Sequence, residues 1–181
     1  SGSLISRIQS LRYSMLGNKK YISQATLIPI STIVSMKTLE ALDSKTAQEG
    51  DTVHFAVLDD VVVDGVVVIP RGMEATGTIT KARKSGRFGK DGKIEITFHS
   101  VRAADSTPVD LTVGEKTKEE YKRTAGAVGA SAAGAIILGP VGLVGGLFVH
   151  GNEVNLPAGT IMYAETAKDT YMYDTEGGAY L

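Results

Sequence analysis

Apolar residues along the chain change their spacing twice, and each change marks a boundary. From Leu4 to Leu16 the residues Leu4, Ile5, Ile8, Leu11, Met15 and Leu16 recur every three or four positions, with Ser3 placed to cap and Gly17-Asn18 to terminate. That spacing predicts a short amphipathic helix. Beyond Lys19-Lys20 the period falls to two, and runs rich in Val, Ile and Thr over 21–28, 32–38, 53–58, 61–69, 73–82, 93–101 and 109–113 predict strands. Inside 61–69, Asp64-Gly65 separates two valine triplets, and Asp-Gly supplies the positive φ angles of a two-residue type I′ hairpin. The loop 85–92, with its glycines, suits a longer hairpin, and Ala104 to Thr107 turns the chain again.

At Thr117 the pattern becomes helical again. Thr117 and Glu120 have the spacing of a capping box ahead of a helix-favouring segment. This helix runs into Ala125 to Val149, twenty-five residues without a charge, seven of them glycine. Continued to Leu138 it has about 21 residues and is roughly 31 Å long. Gly139-Pro140 ends or bends it, and Val141 to Val149 reads as a short return helix or a strand. A helical hairpin is the reading taken. Its apolar arms, about 21 and 13 Å long as helices, are each too short to cross a ~30 Å hydrocarbon layer. Gly126/Ala130/Gly134 and Gly142/Gly146 have the small-xxx-small spacing that lets backbones approach closely. After a turn at Gly151-Asn152, Thr160 to Thr166 and Thr170 to Tyr173 are the last predicted strands.

Three of these strands open on the same corner: Ile28-Pro29-Ile30-Ser31-Thr32, Ile69-Pro70-Arg71-Gly72-Met73 and Leu156-Pro157-Ala158-Gly159-Thr160. Proline holds its predecessor extended and presets φ for a turn, which Gly or Ser two positions later completes. The fold class is therefore mainly β, a small β-barrel or barrel-like sandwich with an N-terminal amphipathic helix and a Gly/Ala-rich helical hairpin insertion. An N-terminal helical arm spans 1–20, and a single β-barrel-like domain spans 21–181 with its apolar insertion at 117–149.

Composition adds bounds. The length of 181 residues suits one domain. A net charge of -1 argues against a global attraction to nucleic acid, and no nucleic-acid partner is expected. With no cysteine, neither a disulfide framework nor a thiolate metal site can form. Ser1-Gly2-Ser3 reads as a cloning remnant, which leaves room for an upstream targeting segment.

Side chains able to carry chemistry are scattered. His54, His99 and His150 have no second ligand at metal-binding spacing. Ser131, in Gly129-Ala130-Ser131, lacks the strand before it and the glycine after it that a nucleophile elbow needs. Adjacent pairs Asp59-Asp60 and Glu119-Glu120 point apart, whereas hydrolysis needs carboxylates facing across a cleft. A hydrolase would require Asp60 or another carboxylate to converge with His54 or His99. No enzyme activity, cofactor or metal is expected. The loop 86–92 lacks the order of a phosphate-binding P-loop and joins two strands. Around it Lys81, Arg83, Lys84, Arg87, Lys90 and Lys93 form a basic cluster opposed by Asp91, a candidate contact for an anionic partner.

The order of these features resembles the carboxy-terminal barrel of the TrbI family, envelope-spanning core proteins of conjugation and type IV secretion machines. The resemblance covers about residues 27 to 174. It rests on HFAVLDDVVVDGVVVIPRGMEATGTI, on IEITFHSVRAADSTPVDLT and on LPAGTIMYAETAKDT. These segments are similar to that family's strand, hairpin and "IP-x-G" corner, to its next strand pair, and to its closing "PGT" strand. Between the last two the family inserts a helical hairpin, and Ala125 to Val149 occupies that place here. The resemblance implies a non-catalytic β-barrel of the bacterial cell envelope, periplasmic or surface-exposed, that assembles side by side.

Two functions follow as expectations. The first is an envelope structural or assembly protein that self-associates, binds other envelope proteins or touches membrane through its Gly-rich hairpin, with Gly126, Gly134, Gly139, Gly142, Gly146, Leu143, Leu147 and Phe148 as contact residues. The alternative is a soluble envelope module that binds an anionic polymer, a glycan or teichoic acid, through the basic loop 81–93.

Overall fold

The computed structural model describes residues 24–86, 91–124, 129–130, 135–138, 143–144, 147–148 and 153–174. The helix expected over 4–16 lies outside them. Six strands close into a barrel: β2 (Ile33–Thr38), β4 (Thr52–Val57), β7 (Glu74–Arg83), β8 (Lys93–Arg102), β9 (Pro108–Thr112) and β15 (Ile161–Thr166). Their order around the ring is β8-β7-β4-β2-β15-β9, and β9 pairs back onto β8. Every pairing is antiparallel. The two-residue period expected for these segments now has a cause, because alternate side chains point into the lumen. Val34 and Met36 of β2, Val53, Phe55 and Val57 of β4, and Met162 and Ala164 of β15 are buried there. At about 1.5–3 kcal/mol for each large apolar side chain withdrawn from water, this filling is the main stabilising term.

Phe55 and Phe98 meet inside the barrel with ring centroids 5.2 Å apart. Gly77 makes room for them, since a Cβ there would stand 3.0 Å from Ile96 Cγ2 and from the Thr97 carbonyl, and 3.4 Å from the Phe55 ring.

Short pairs surround the barrel. β1 (Gln24–Ile28) pairs with β16 (Thr170–Asp174), β3 (Leu42–Asp43) with β14 (Asn155–Leu156), and β5 (Val61–Val63) with β6 (Val66–Ile69). Asp64 and Gly65, both at positive φ (50° and 79°), turn the last pair as the sequence predicts.

The proline corners form as expected. Ser31, Gly72 and Gly159, each two positions after the proline, take positive φ. A fourth, proline-free copy, Gln48-Glu49-Gly50-Asp51, ends in Gly50 at φ 92° and closes with Asp51 N–H donating to the Gln48 carbonyl at 3.1 Å. Each corner is clipped to a neighbouring strand by the same two bonds. Gly159 N–H donates to the Thr38 carbonyl at 2.7 Å, and Thr38 N–H donates back to the Thr160 carbonyl at 2.9 Å. Ser31 and Thr32 do this with Thr166, Gly72 and Met73 with Val57, and Gly50 and Asp51 with Ile79. The clips thus come in reciprocal sets, one tying β2 to β15 and the other β4 to β7.

The charge-free run departs from expectation where it is described. The helix α1 is described over Glu115–Thr124, and Ala135–Leu138 is a strand, β11. β11 pairs antiparallel with β8 (Ala135↔Thr97 to Leu138↔Ile94), and β10 (Gly129–Ala130) pairs with β11. β12 (Leu143–Val144) pairs with β13 (Leu147–Phe148). The helical hairpin is therefore corrected to strand at these positions. Ile136 and Ile137 are β-branched and lose rotamer freedom in a helix, and β8 presents an unfilled backbone edge for them to complete.

Replacing Gly50, Gly72 or Gly159 with Val brings the new Cβ against no neighbouring atom but forces a β-branched residue to positive φ. Each is expected to cost about 1–2 kcal/mol in urea unfolding; an unchanged midpoint would contradict the turn assignment.

Candidate functional site

Strand β15 has two backbone edges, and they are served differently. Ala164 and Met162 pair with Val34 and Met36 of β2, so the peptide groups of Glu165 and Tyr163 face the other way, towards β9. There β9 reaches only Glu165 and Thr166. Tyr163 lies beyond its end, and the Tyr121 hydroxyl of α1 takes its place. Tyr163 N–H donates to Tyr121 Oη at 2.7 Å, and Tyr121 O–H donates to the Tyr163 carbonyl at 3.2 Å. One side chain replaces a missing strand. Burial pushes the Tyr121 pKa up, so the hydroxyl keeps the proton it donates. The two tyrosine rings pack edge to face with centroids 5.2 Å apart.

The start of α1 is held by the same strand. Thr117 is not the N-cap expected from the capping-box spacing: the helix begins at Glu115, and Lys118 N–H donates to the Gly114 carbonyl at 3.0 Å. Gly114 is the cap residue. Glu165 of β15 performs both halves of the box, because its Oε1 accepts from Gly114 N–H at 3.0 Å, Thr117 N–H at 2.9 Å and the Thr117 hydroxyl at 2.8 Å. Glu120, the other half of the expected box, instead pairs with Arg123. Burial raises the Glu165 pKa, but the bonds from Thr117, Ser31 and Gly114 outweigh it and hold the carboxyl below its ordinary value. Gly114 leaves room for this cap, since a Cβ there would stand 2.8–2.9 Å from the carboxylate and push it aside.

Strand β8 shows the complementary arrangement. Residues 100–102 pair with β9, and residues 94–97, past the point where β9 leaves, pair with β11. The barrel gapes between β8 and β15, with α1 on one edge of the gap and β11 on the other. Ile136 and Leu138 of β11 are buried in the common core.

On the return side Glu153 is fixed as firmly. Its Oε1 accepts from the Ser44 hydroxyl at 2.6 Å and Ser85 N–H at 3.0 Å, and its Oε2 from the Ser85 hydroxyl at 2.6 Å. Bonds from Ser44 and then Ser85 lower its pKa. Sequence reasoning missed Glu153, Glu165 and Tyr121 as anchors. Only a buried-strand glutamate in the β-run 160–166 hinted at one of them.

Of the expected contact residues, Gly126, Gly134, Gly139, Gly142 and Gly146 lie outside the described residues, and Leu143, Leu147 and Phe148 fall in β12 and β13. Of the basic cluster, Arg87 and Lys90 lie outside, while Lys81, Arg83 and Lys93 come together on the β7–β8 hairpin beside exposed Lys84.

The remaining polar candidates do structural work. Asp60 accepts from Arg71 N–H at 2.6 Å and holds a corner. His54 Nδ1 lies 3.3 Å from Glu40 Oε2 with both side chains over 40% exposed, and His99 Nε2 meets the Thr78 hydroxyl at 2.6 Å on the surface. The cavity of about 260 Å³ beside Glu40 is not lined by His54. Among the described residues no group of three or more His, Asp or Glu could hold a metal, and no helix is long and apolar enough to cross a membrane.

No protein-family model matches the chain, and no curated protein matches it. Among solved structures it is similar to ComB10 of the Com type IV secretion system of Helicobacter pylori, at 12% identity and a TM-score of 0.43, over 85% of this chain and 94% of that one.

Tyr121→Phe leaves the Tyr163 N–H without its acceptor and is expected to cost about 1–3 kcal/mol of unfolding free energy. A loss below a few tenths of a kcal/mol would contradict the seam-closing role. Glu165→Gln addresses the charge. The native carboxyl has the lower pKa, so the unfolded chain takes up the proton first as pH falls. Its stabilisation is complete well above the unfolded value of about 4.3 and disappears as pH drops through the native one. The difference in stability between wild type and Glu165→Gln should therefore shrink from pH 7 to pH 3; a constant difference would show that the ionised form is not what caps α1.

Proposed function

We propose that the chain is a non-catalytic structural component of a bacterial cell-envelope assembly, periplasmic or surface-exposed, which meets other copies or other envelope proteins through its charge-free insertion. One observation carries this reading: the insertion is rooted at both feet in the barrel, by Glu165 and Tyr121 on the way out and by Glu153 on the way back. A segment of twenty-five residues without a charge has nothing to offer water and much to offer an apolar partner. Firm rooting transmits force from that contact to the barrel, as a scaffold requires.

Close approach of backbones explains the glycines. Gly126, Gly134, Gly139, Gly142 and Gly146 leave room for a neighbouring chain, and Leu143, Leu147 and Phe148 supply apolar contact area. The envelope setting and the scaffold role are also what the resemblance to the TrbI family implies. Membrane contact by the same residues is the companion outcome, since small apolar residues serve in lipid as well as in protein.

Leucine in place of Gly134 and Gly142 is expected to shift the sedimentation of the wild-type assembly towards the monomer, or to alter its flotation with liposomes, while the barrel's unfolding midpoint stays the same. Sedimentation and flotation both identical to wild type would remove the insertion from the contact.

A further inference from the structure

We propose that the outer face of the β7–β8 hairpin is a binding site for a phosphate ester. A cavity of about 390 Å³ is lined there by Glu49, Thr80, Lys81, Ala82, Arg83 and Lys93. Lys81 and Arg83 are two apart on β7, and Lys93 stands directly opposite Arg83 in the register. Like charges directly opposite on paired strands destabilise the ladder. Glu95, the register partner of Lys81, is buried and accepts from the Thr80 hydroxyl at 3.3 Å, and it forms no ion pair with Lys81. Among the described residues no carboxylate, Glu49 included, forms an ion pair with Lys81, Arg83 or Lys93. The three cations line one cavity without an ion-pair partner among the described residues, and a bound anion would pair with them.

The arrangement selects the anion. Arg83 Nε donates to the Asp91 carbonyl at 3.0 Å, which orients the guanidinium and leaves its terminal amino groups for a forked contact with two oxygens. A phosphate ester offers those oxygens, further acceptors for the two ammonium groups, and a charge that persists at neutral pH. Glu49, the one acid of the lining, offers a hydrogen-bond acceptor, which suits a ligand with a hydroxyl or ammonium group beside its phosphate. Glycerol-phosphate polymers and phospholipid headgroups share that chemistry.

Two probes separate these sources: amide chemical shifts during titration with glycerol 3-phosphate, and flotation with phosphatidylglycerol vesicles, both at low ionic strength. Wild-type protein should respond to at least one. Response to the soluble ester assigns a free phosphate ester, and response to vesicles alone assigns the headgroup. Lys93→Gln and Lys81→Gln should each weaken binding roughly tenfold, and the melting midpoint of Lys93→Gln should equal or exceed that of wild type because the facing charge is gone. No response to either probe, or wild-type affinity in both variants, would overturn the proposal. A lower midpoint for Lys93→Gln would overturn the repulsion on which it rests.

Discussion

A barrel of six strands has to satisfy the backbone of every strand on both sides, and here one strand is too short to do so. β9 bridges β8 and β15 over only a few residues, and beyond its end the two strands diverge. An unpaired buried peptide group costs about 1–3 kcal/mol, so the gap has to be filled. The chain fills it with the segment that follows β9: α1 covers the edge of β15 through Tyr121, and β11 covers the edge of β8. The described roots of the insertion are thus part of the closure of the barrel. Glu165 is central to this arrangement, because it pairs with β9 through its backbone and caps α1 through its side chain.

The four corners stiffen the rest. Each pairs a residue at positive φ with the far end of a neighbouring strand, and the reciprocal clips between β2 and β15 and between β4 and β7 fix both ends of each strand pair. A load applied to the insertion passes through α1 to β15, and from β15 through its clips to β2. The strand pairs β2–β15 and β4–β7 are therefore braced at both ends.

How much of this could be read beforehand depended on sequence distance. Asp64-Gly65 and the three proline corners were legible because their conformations are set by adjacent residues, and period two exposed the barrel strands. Gln48-Glu49-Gly50-Asp51 was missed because it reaches the same corner without proline. Ala135–Leu138 was misread because its helix-compatible alanines and glycines carry little information, while the deciding factor, the open edge of β8, lies about forty residues away in the chain. Glu165 caps a helix 48 residues before it, and Glu153 accepts from Ser44 109 residues before it. No local pattern announces such a carboxylate. The basic groove was half legible: the cluster Lys81 to Lys93 was visible, but the face-to-face placement of Arg83 and Lys93 needed the register.

The central claim is that the apolar insertion is built into the barrel seam, with a tyrosine side chain standing where a strand would be. Amide hydrogen exchange at Tyr163 tests it most directly, because that N–H has Tyr121 Oη as its acceptor at 2.7 Å. Tyr163 N–H is expected to exchange as slowly as the ladder-bonded amides of Met36 and Met162, and to become fast in Tyr121→Phe. Exchange at the rate of an exposed strand edge in the wild-type protein would contradict it.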